Sequence, residues 1–274
     1  MKVESIRNPV YIRSFSSTRN EARSHVNITV CIKRTPDTET RIRIAEGGDS
    51  IDSGGVKYIV SPYDEFAVEA ALRLREAAGD GTVTLVTLGD AAAAEQLRSG
   101  LAMGADKAVL LEGESGFDGL ATARALATEL EGHDAPLILL GVKAADDDAQ
   151  QVGPMLATLM GRPCVTAVSD FELNGDTARC QREVEGGTEV VEVDLPAVIT
   201  ITKGAFEPRY ASLKGIMAAK RKPLEQKAAE VPAARMTLEA LELPPARPEG
   251  RIVGEGAEAA AELVRALREE AKVL

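Results

Sequence analysis

Three short strand-like runs, the β-branched 82–88, 107–111 and the almost wholly apolar 136–140, are separated by stretches in helical spacing at 91–103 and 120–130. Strands that alternate with helices return the chain in the same direction each time, so they build a parallel sheet covered by helices on both faces. The run Pro136-Leu137-Ile138-Leu139-Leu140 has no polar face and ends at Gly141, which puts it in the middle of that sheet. The expected architecture is therefore α/β: a doubly wound, mostly parallel, Rossmann-like sheet.

Other segments extend the pattern. Residues 28–33 read as the first strand, and 41–51 as a short strand pair turning at Gly47, Gly48 and Asp49. Ser61-Pro62-Tyr63-Asp64 reads as a helix start, with Ser61 as N-cap, Pro62 in the first helical position and Asp64 and Glu65 at the positive end of the dipole. Ala67, Val68, Ala71, Leu72 and Leu74 keep helical spacing as far as Gly79, and 150–160 reads as a later helix. From 165 to 201 the period changes to two, with Gly186-Gly187 between 177–185 and 189–193, which predicts a β-hairpin insertion.

The chain divides into three parts. Residues 1–26 carry Lys2, Arg7, Arg13, Arg19 and Arg23 against Glu4 and Glu21, with Ser14, Ser16, Ser17 and Thr18, and are expected to be a disordered leader of the kind seen in transit peptides or upstream starts. Residues 27–215 form the α/β domain. Residues 216–274 form an extended arm, punctuated by Pro223, Pro232, Pro244, Pro245 and Pro248, and then an amphipathic helix over 257–273 with Leu263, Val264 and Leu267 on one face.

Composition narrows the function. The net charge of −11 has the wrong sign for generic binding to nucleic acid or anionic lipid, and 3% aromatic residues with no Trp leave few stacking platforms. No apolar run reaches the ~18 residues of a membrane span. His25 and His133 alone cannot supply a multi-histidine metal centre, and Cys31, Cys164 and Cys180 are too scattered for a zinc site or a disulfide framework. No metal site and no catalytic residue is expected.

Ligands of a doubly wound sheet bind beyond the carboxyl ends of its strands, after Lys33, Leu88 and Gly141 in this chain. GxxxxGK[ST] is lacking, and Gly254-Glu255-Gly256 has no strand before it. The stretch from Gly141 to Asp148 is more informative, because a buried strand ending in glycine before a helix start offers backbone N–H donors. Asp146, Asp147 and Asp148 would either simply cap that helix or cap it while also holding a ribose hydroxyl. The segment 207–217 mixes Arg209, Tyr210, Leu213, Ile216 and Met217, which fits an interaction loop or a Pro-punctuated turn with Leu213 and Ile216 in the core.

Taken together, Lys33-Arg34-Thr35-Pro36-Asp37, Gly55-Val56-Lys57, Ser61-Pro62-Tyr63-Asp64-Glu65, Leu101-Ala102-Met103-Gly104-Ala105-Asp106, the stretch from Gly141 to Gly153, Leu195-Pro196-Ala197-Val198 and Glu207-Pro208-Arg209-Tyr210 resemble the beta subunit of electron transfer flavoprotein, in family order across roughly 27–225. The resemblance implies an electron carrier rather than an enzyme. It implies a heterodimer with an alpha subunit that holds most of a shared FAD. Electrons would come from flavin dehydrogenases such as those for acyl-CoA, in fatty acid β-oxidation, and pass to electron transfer flavoprotein-quinone oxidoreductase.

The resemblance also implies AMP in a pocket lined by Cys31, by Ser61, Pro62, Tyr63 and Asp64, by Leu88, and by Gly141, Val142, Lys143, Ala144, Ala145, Asp146, Asp147, Asp148, Ala149, Gln150, Gln151 and Val152. Tyr63 falls beside the flavin ring. Leu213 matches the leucine that anchors the dehydrogenase, with Tyr210, Ile216 and Met217 around it, and 216–274 packs on the alpha subunit. The chain departs from the family at Thr38, where some members have a flavin-contacting Tyr, and at Gln150-Gln151-Val152-Gly153-Pro154, where AMP-binding members read Asn-Gln-Thr-Gly-Gln. The latter resembles electron-bifurcating members with a second FAD, whereas the intact triple Asp resembles the AMP type, the one favoured. A stand-alone nucleotide-binding stress or signalling module is the rival reading. The compartment implied is the bacterial cytoplasm, or the mitochondrial matrix if 1–26 is a transit peptide.

Overall fold

Strands with no polar face need cover on both sides, and a computed structural model, which describes residues 2–6, 25–114, 116, 118–246 and 249–274, provides it. In chain order the elements are β1 (Lys2–Ile6), β2 (Ile28–Cys31), β3 (Arg34–Pro36), β4 (Tyr58–Val60), α1 (Pro62–Ala78), β5 (Val83–Gly89), α2 (Ala94–Met103), β6 (Lys107–Glu112) and α3 (Gly119–Leu130). They continue with β7 (Leu137–Gly141), α4 (Val152–Leu159), β8 (Cys164–Asn174), β9 (Thr177–Val184), β10 (Gly187–Asp194), β11 (Ala197–Ile201), α5 (Leu213–Ala219), β12 (Leu224–Ala228) and α6 (Ala259–Arg265).

Among the described residues ten strands form one sheet in the order β1-β10-β9-β8-β11-β7-β2-β5-β6-β12. From β8 to β12 neighbouring strands run parallel, and β8, β9, β10 and β1 are joined antiparallel. The chain leaves β2 toward β5 and β6 and then returns to the other side at β7, so the strand order reverses between β2 and β7. Alternate side chains feed two cores. Val30, Leu85, Leu137 and Leu139 pack with Ala67, Leu72, Leu97 and Leu101 of α1 and α2 on one face, and Cys31, Val86, Ile138 and Leu140 pack with Leu126 and Leu156 of α3 and α4 on the other.

The sheet, the hairpin and most helices lie where the sequence pattern puts them. α1 begins with Pro62 in its first turn and ends at Gly79, which takes a left-handed φ of 80°. The hairpin turns at Glu185-Gly186, one residue earlier than expected.

Several expectations need correction. The pair expected at 41–51 is a single bridge between Ile44 and Ile51, and the pairing in this region joins β3 to β4 instead. Ser61 does not cap α1 through its hydroxyl, which is buried without a hydrogen-bond partner. The arm is not wholly extended: α5 packs on α2, and β12 adds itself to the edge of β6 through backbone hydrogen bonds, which require no apolar period. The C-terminal helix is α6 followed by a wider turn over Ala266–Glu270, with no buried residue in either.

Within the segment read as a leader, Lys2–Ile6 pairs with β10. Arg7, Arg13, Arg19, Arg23, Glu21 and the Ser/Thr cluster lie outside the described residues, as does Pro248. No helix among the described residues is long and apolar enough to cross a membrane, and no group of three or more His, Cys, Asp or Glu side chains among them forms a metal site.

Candidate functional site

The reversal of strand order opens a crevice at the carboxyl ends of β2 and β7, and a cavity of about 420 Å³ occupies it. Asp64, in the first turn of α1, spans its floor. Its Oδ2 accepts the backbone N–H of Lys33 at 2.7 Å and its Oδ1 that of Gly141 at 2.9 Å, so one buried carboxylate ties both strand ends to α1. A Cβ on Gly141 would lie 2.5 Å from Asp64 Oδ1 and 2.7 Å from the carbonyl carbon of Tyr63, so only glycine fits there. Burial pushes the Asp64 carboxyl up to about 7, against the pull of these two N–H groups and of Lys33.

The loop from Val142 to Gln151 forms one wall. Asp148 and Gln150 adopt left-handed φ values of 50° and 56°, a conformation that non-glycine residues hold only where the surroundings impose it. The three aspartates do not cap α4. Lys33 Nζ binds Asp146 Oδ1 at 2.8 Å and Asp147 Oδ2 at 3.0 Å, and Lys143 Nζ binds Asp148 Oδ2 at 2.8 Å. Although burial lowers the Lys33 pKa, hydrogen bonding to Asp146 and Asp147 outweighs it and leaves Lys33 above the usual lysine value.

The residue in the cap position of α4 is Gln151, and it makes no side-chain cap bond. Among the described residues no side chain accepts from the N–H groups of Val152 and Gly153, which line the cavity.

The opposite wall was missed from sequence. Gly113, Glu114, Gly116, Gly119, Thr122 and Leu126 line it, together with Asp90 after β5. The available signal was the spacing of three glycines between a strand and a helix, at 113, 116 and 119. Gly119 packs against the side chain of Gln151, whose Nε2 would lie 2.9 Å from a Cβ there and would have to shift for any larger residue. Asp118 caps α3, accepting from the N–H of Leu120 at 2.8 Å and of Ala121 at 3.2 Å, and its second oxygen accepts the N–H of Arg235 from the arm. Arg34 also faces the cavity and lies 3.5 Å over the ring of Tyr58.

Of the residues expected to share a pocket, the structure brings together Cys31, Asp64, Leu88, Gly141, Val142, Lys143, Ala144, Asp146, Asp147, Ala149, Gln150, Gln151 and Val152. Ser61, Pro62, Tyr63, Ala145 and Asp148 are not among the lining residues. Pro62 lines a separate groove beneath Arg209 and Tyr210, and the ring of Tyr63 lies 5.5 Å from Lys143 Nζ. Burial raises the pKa of Cys31, with the charge of Asp64 adding to it, which favours the neutral thiol.

A second feature lies on the α1 and α2 face. Tyr210, Leu213 and Met217 stand out into solvent and Ile216 is partly covered, so the core alternative for Leu213 and Ile216 does not hold. Ser212 caps the short helix α5, its Oγ accepting the N–H of Gly215 at 3.1 Å.

Comparison with known proteins finds relatives over most of the chain. A family model described as the electron transfer flavoprotein domain matches residues 50–232. The chain is 42% identical over 260 residues to the electron transfer flavoprotein subunit beta of Bacillus subtilis (strain 168), covering 91% of this chain and 100% of that one. It is 39% identical over 249 residues to the subunit beta of Bradyrhizobium diazoefficiens, with the same coverage of 91% and 100%. It is 40% identical over 203 residues to the mitochondrial subunit beta of Arabidopsis thaliana, covering 73% of this chain and 81% of that one.

Proposed function

The chain belongs to the electron transfer flavoprotein family, among its beta subunits, and from that premise we propose that it forms a heterodimer with an alpha subunit, shares an FAD with it and holds AMP in its own sheet. In this reading the carrier takes electrons from acyl-CoA and related flavin dehydrogenases and hands them to electron transfer flavoprotein-quinone oxidoreductase. It does so in the bacterial cytoplasm, or in the mitochondrial matrix if 1–26 is a transit peptide.

The observation that supports AMP most is the cavity at the strand-order reversal, closed on one side by α4, where the N–H groups of Val152 and Gly153 have no side-chain acceptor among the described residues. Gly141 and Gly153 let the walls of the cavity pack closely, since a Cβ would lie 2.5 Å from Asp64 Oδ1 at the first and 2.4 Å from Thr200 Cγ2 at the second. The residues present fit a mononucleotide. Val152 and Gly153 offer backbone donors to a phosphate, and the loop through Ala149 and Gln150, with Leu88 and Cys31, walls the remainder.

When bound, FAD supplies the one- and two-electron chemistry of the carrier. This chain's own part is to hold the nucleotide, to present Tyr63 toward the flavin side and to offer Tyr210, Leu213, Ile216 and Met217 to the electron donor. The exposed apolar residues Ile252, Leu263, Val264 and Val273 of the C-terminal segment support its packing on the alpha subunit.

Acid extraction and chromatography of the purified heterodimer test the reading. One FAD and one AMP per heterodimer, with the lone chain colourless, is the expected result. Two FAD and no AMP would move the protein to the bifurcating type, which the Gln151-Val152-Gly153-Pro154 stretch resembles. Stoichiometric flavin in the lone chain would overturn the division of the site between subunits.

A further inference from the structure

Residues 202–212, which join β11 to α5, contain no regular secondary structure, yet they carry Tyr210 and lead into Leu213, which are 99% and 83% exposed. Something other than local backbone bonding must fix their direction. One hold is at the start of the segment, where the N–H of Ala205 reaches the carbonyl of Ser169 at 2.9 Å and Phe206 packs edge-on against Phe171 with centroids 5.4 Å apart.

The other hold is ionic. Arg209 Nε and Nη2 bind the two carboxylate oxygens of Glu69 at 2.7 and 3.1 Å, and Nη1 and Nη2 bind those of Glu76 at 2.6 and 3.0 Å. Glu69 and Glu76 are seven residues apart on α1 and so share one face. Arg73, between them, binds Glu69 Oε1 at 2.7 Å and donates to the carbonyls of Ala205 at 2.9 Å and Glu207 at 3.3 Å. Glu69 is 2% exposed, so its pairs with Arg209 and Arg73 are shielded at the carboxylate from the water that weakens surface pairs, whereas Glu76 is half-exposed and its pair is screened.

We propose that Arg209, forked between Glu69 and Glu76, is a positioning residue for the docking segment: it sets the direction in which Tyr210 and Leu213 are presented and thereby the affinity for the electron-donating flavoprotein. The inference rests on the docking role given to this segment above. A planar fork on two carboxylates fixes both the place and the rotation of a residue, whereas a lysine supplies a point charge that can satisfy either carboxylate without that constraint. A segment held in its bound direction loses less freedom on association, so its partner binds more tightly with no added contact. Arg209 touches neither the cavity nor a reacting group, so its effect belongs in the KM for the carrier and not in kcat.

The test uses the heterodimer carrying Arg209→Lys, Glu76→Gln or Leu213→Ala, with an acyl-CoA dehydrogenase reduced by its substrate as donor. Arg209→Lys is expected to raise the KM for the carrier about tenfold and Glu76→Gln about threefold, with kcat and FAD content unchanged and hydrogen exchange accelerated over 205–212 only. Leu213→Ala raising KM while Arg209→Lys does not would overturn the positioning role alone. Leu213→Ala without effect, or a wild-type heterodimer that takes no electrons from this donor, would overturn the docking reading and this inference with it. Should Arg209→Lys lower the yield of folded heterodimer, Glu76→Gln decides: a raised KM supports the role, and an unchanged one overturns it.

Discussion

The carboxylate of Asp64 accepts the backbone N–H of Gly141 at 2.9 Å, fastening the first turn of α1 to the end of β7 where the strand order reverses. With the N–H of Lys33 on its other oxygen, the same side chain satisfies two strand-end donors out of reach of bulk water. Asp64→Ala leaves both unpaired, at about 1–3 kcal/mol for each. The expected outcome is a lower denaturant midpoint and loss of AMP from the heterodimer extract. Gly141→Ala should lose AMP as well, because its Cβ has no space beside Asp64 and Tyr63.

The same carboxyl predicts a pH dependence. Burial raises it from the ordinary 3.8 to about 7 in the folded chain. Between about pH 4 and pH 7 the unfolded chain gives up a proton that the folded chain keeps, so the contribution of Asp64 to stability is fully present below that window and falls as pH rises through it. Asp64→Asn does not titrate. The difference in urea midpoint, wild type minus Asp64→Asn at fixed protein concentration, should shrink from about pH 5 to about pH 7.5; a constant or growing difference would refute the sign.

These relationships were legible in the sequence to different degrees, for physical reasons. Pro62 and Gly79 mark the ends of α1 because a fixed φ and a left-handed φ are properties of single residues. β7 reads as central because burial on both faces leaves an unbroken apolar run. β12 was hidden because an edge strand that carries Glu225, Gln226 and Lys227 has no such run; its position is set by the backbone of β6. The ion pairs of Lys33 with Asp146 and Asp147 join residues more than a hundred positions apart, so local capping rules assigned those carboxylates to the wrong partner. Glu69 and Arg209 were hidden in the same way, each looking like an ordinary surface charge in its own segment.

Asp118 divides its two oxygens between α3 and the arm, so one substitution separates the two roles. Asp118→Asn keeps an acceptor for the N–H of Leu120 but can set an amide donor against the N–H of Arg235, whereas Asp118→Ala removes both. The expected result is faster tryptic cleavage after Arg235 in both variants. Only Asp118→Ala should also carry the helix-cap loss of about 0.5–2 kcal/mol, read as a lower denaturant midpoint. Cleavage after Arg235 as slow as in the wild type would show that the arm is held elsewhere, for instance by Val231 against Gly113.

Leu213 opens α5 at 83% exposure, which removes the cavity cost that a buried leucine would carry. Leu213→Ala should therefore change stability by no more than about 0.5 kcal/mol, as surface substitutions do. If the side chain is buried on docking, truncation costs roughly 1–3 kcal/mol of association, about 5- to 150-fold in affinity. The paired measurement is the thermal midpoint of the heterodimer and the rate of electron transfer from a reduced acyl-CoA dehydrogenase as a function of carrier concentration. An unchanged midpoint with a steep rise in KM is the expected outcome. A lowered midpoint with normal transfer by the protein that remains folded would assign Leu213 to the fold and leave Tyr210 and Met217, exposed beside it, to account for docking.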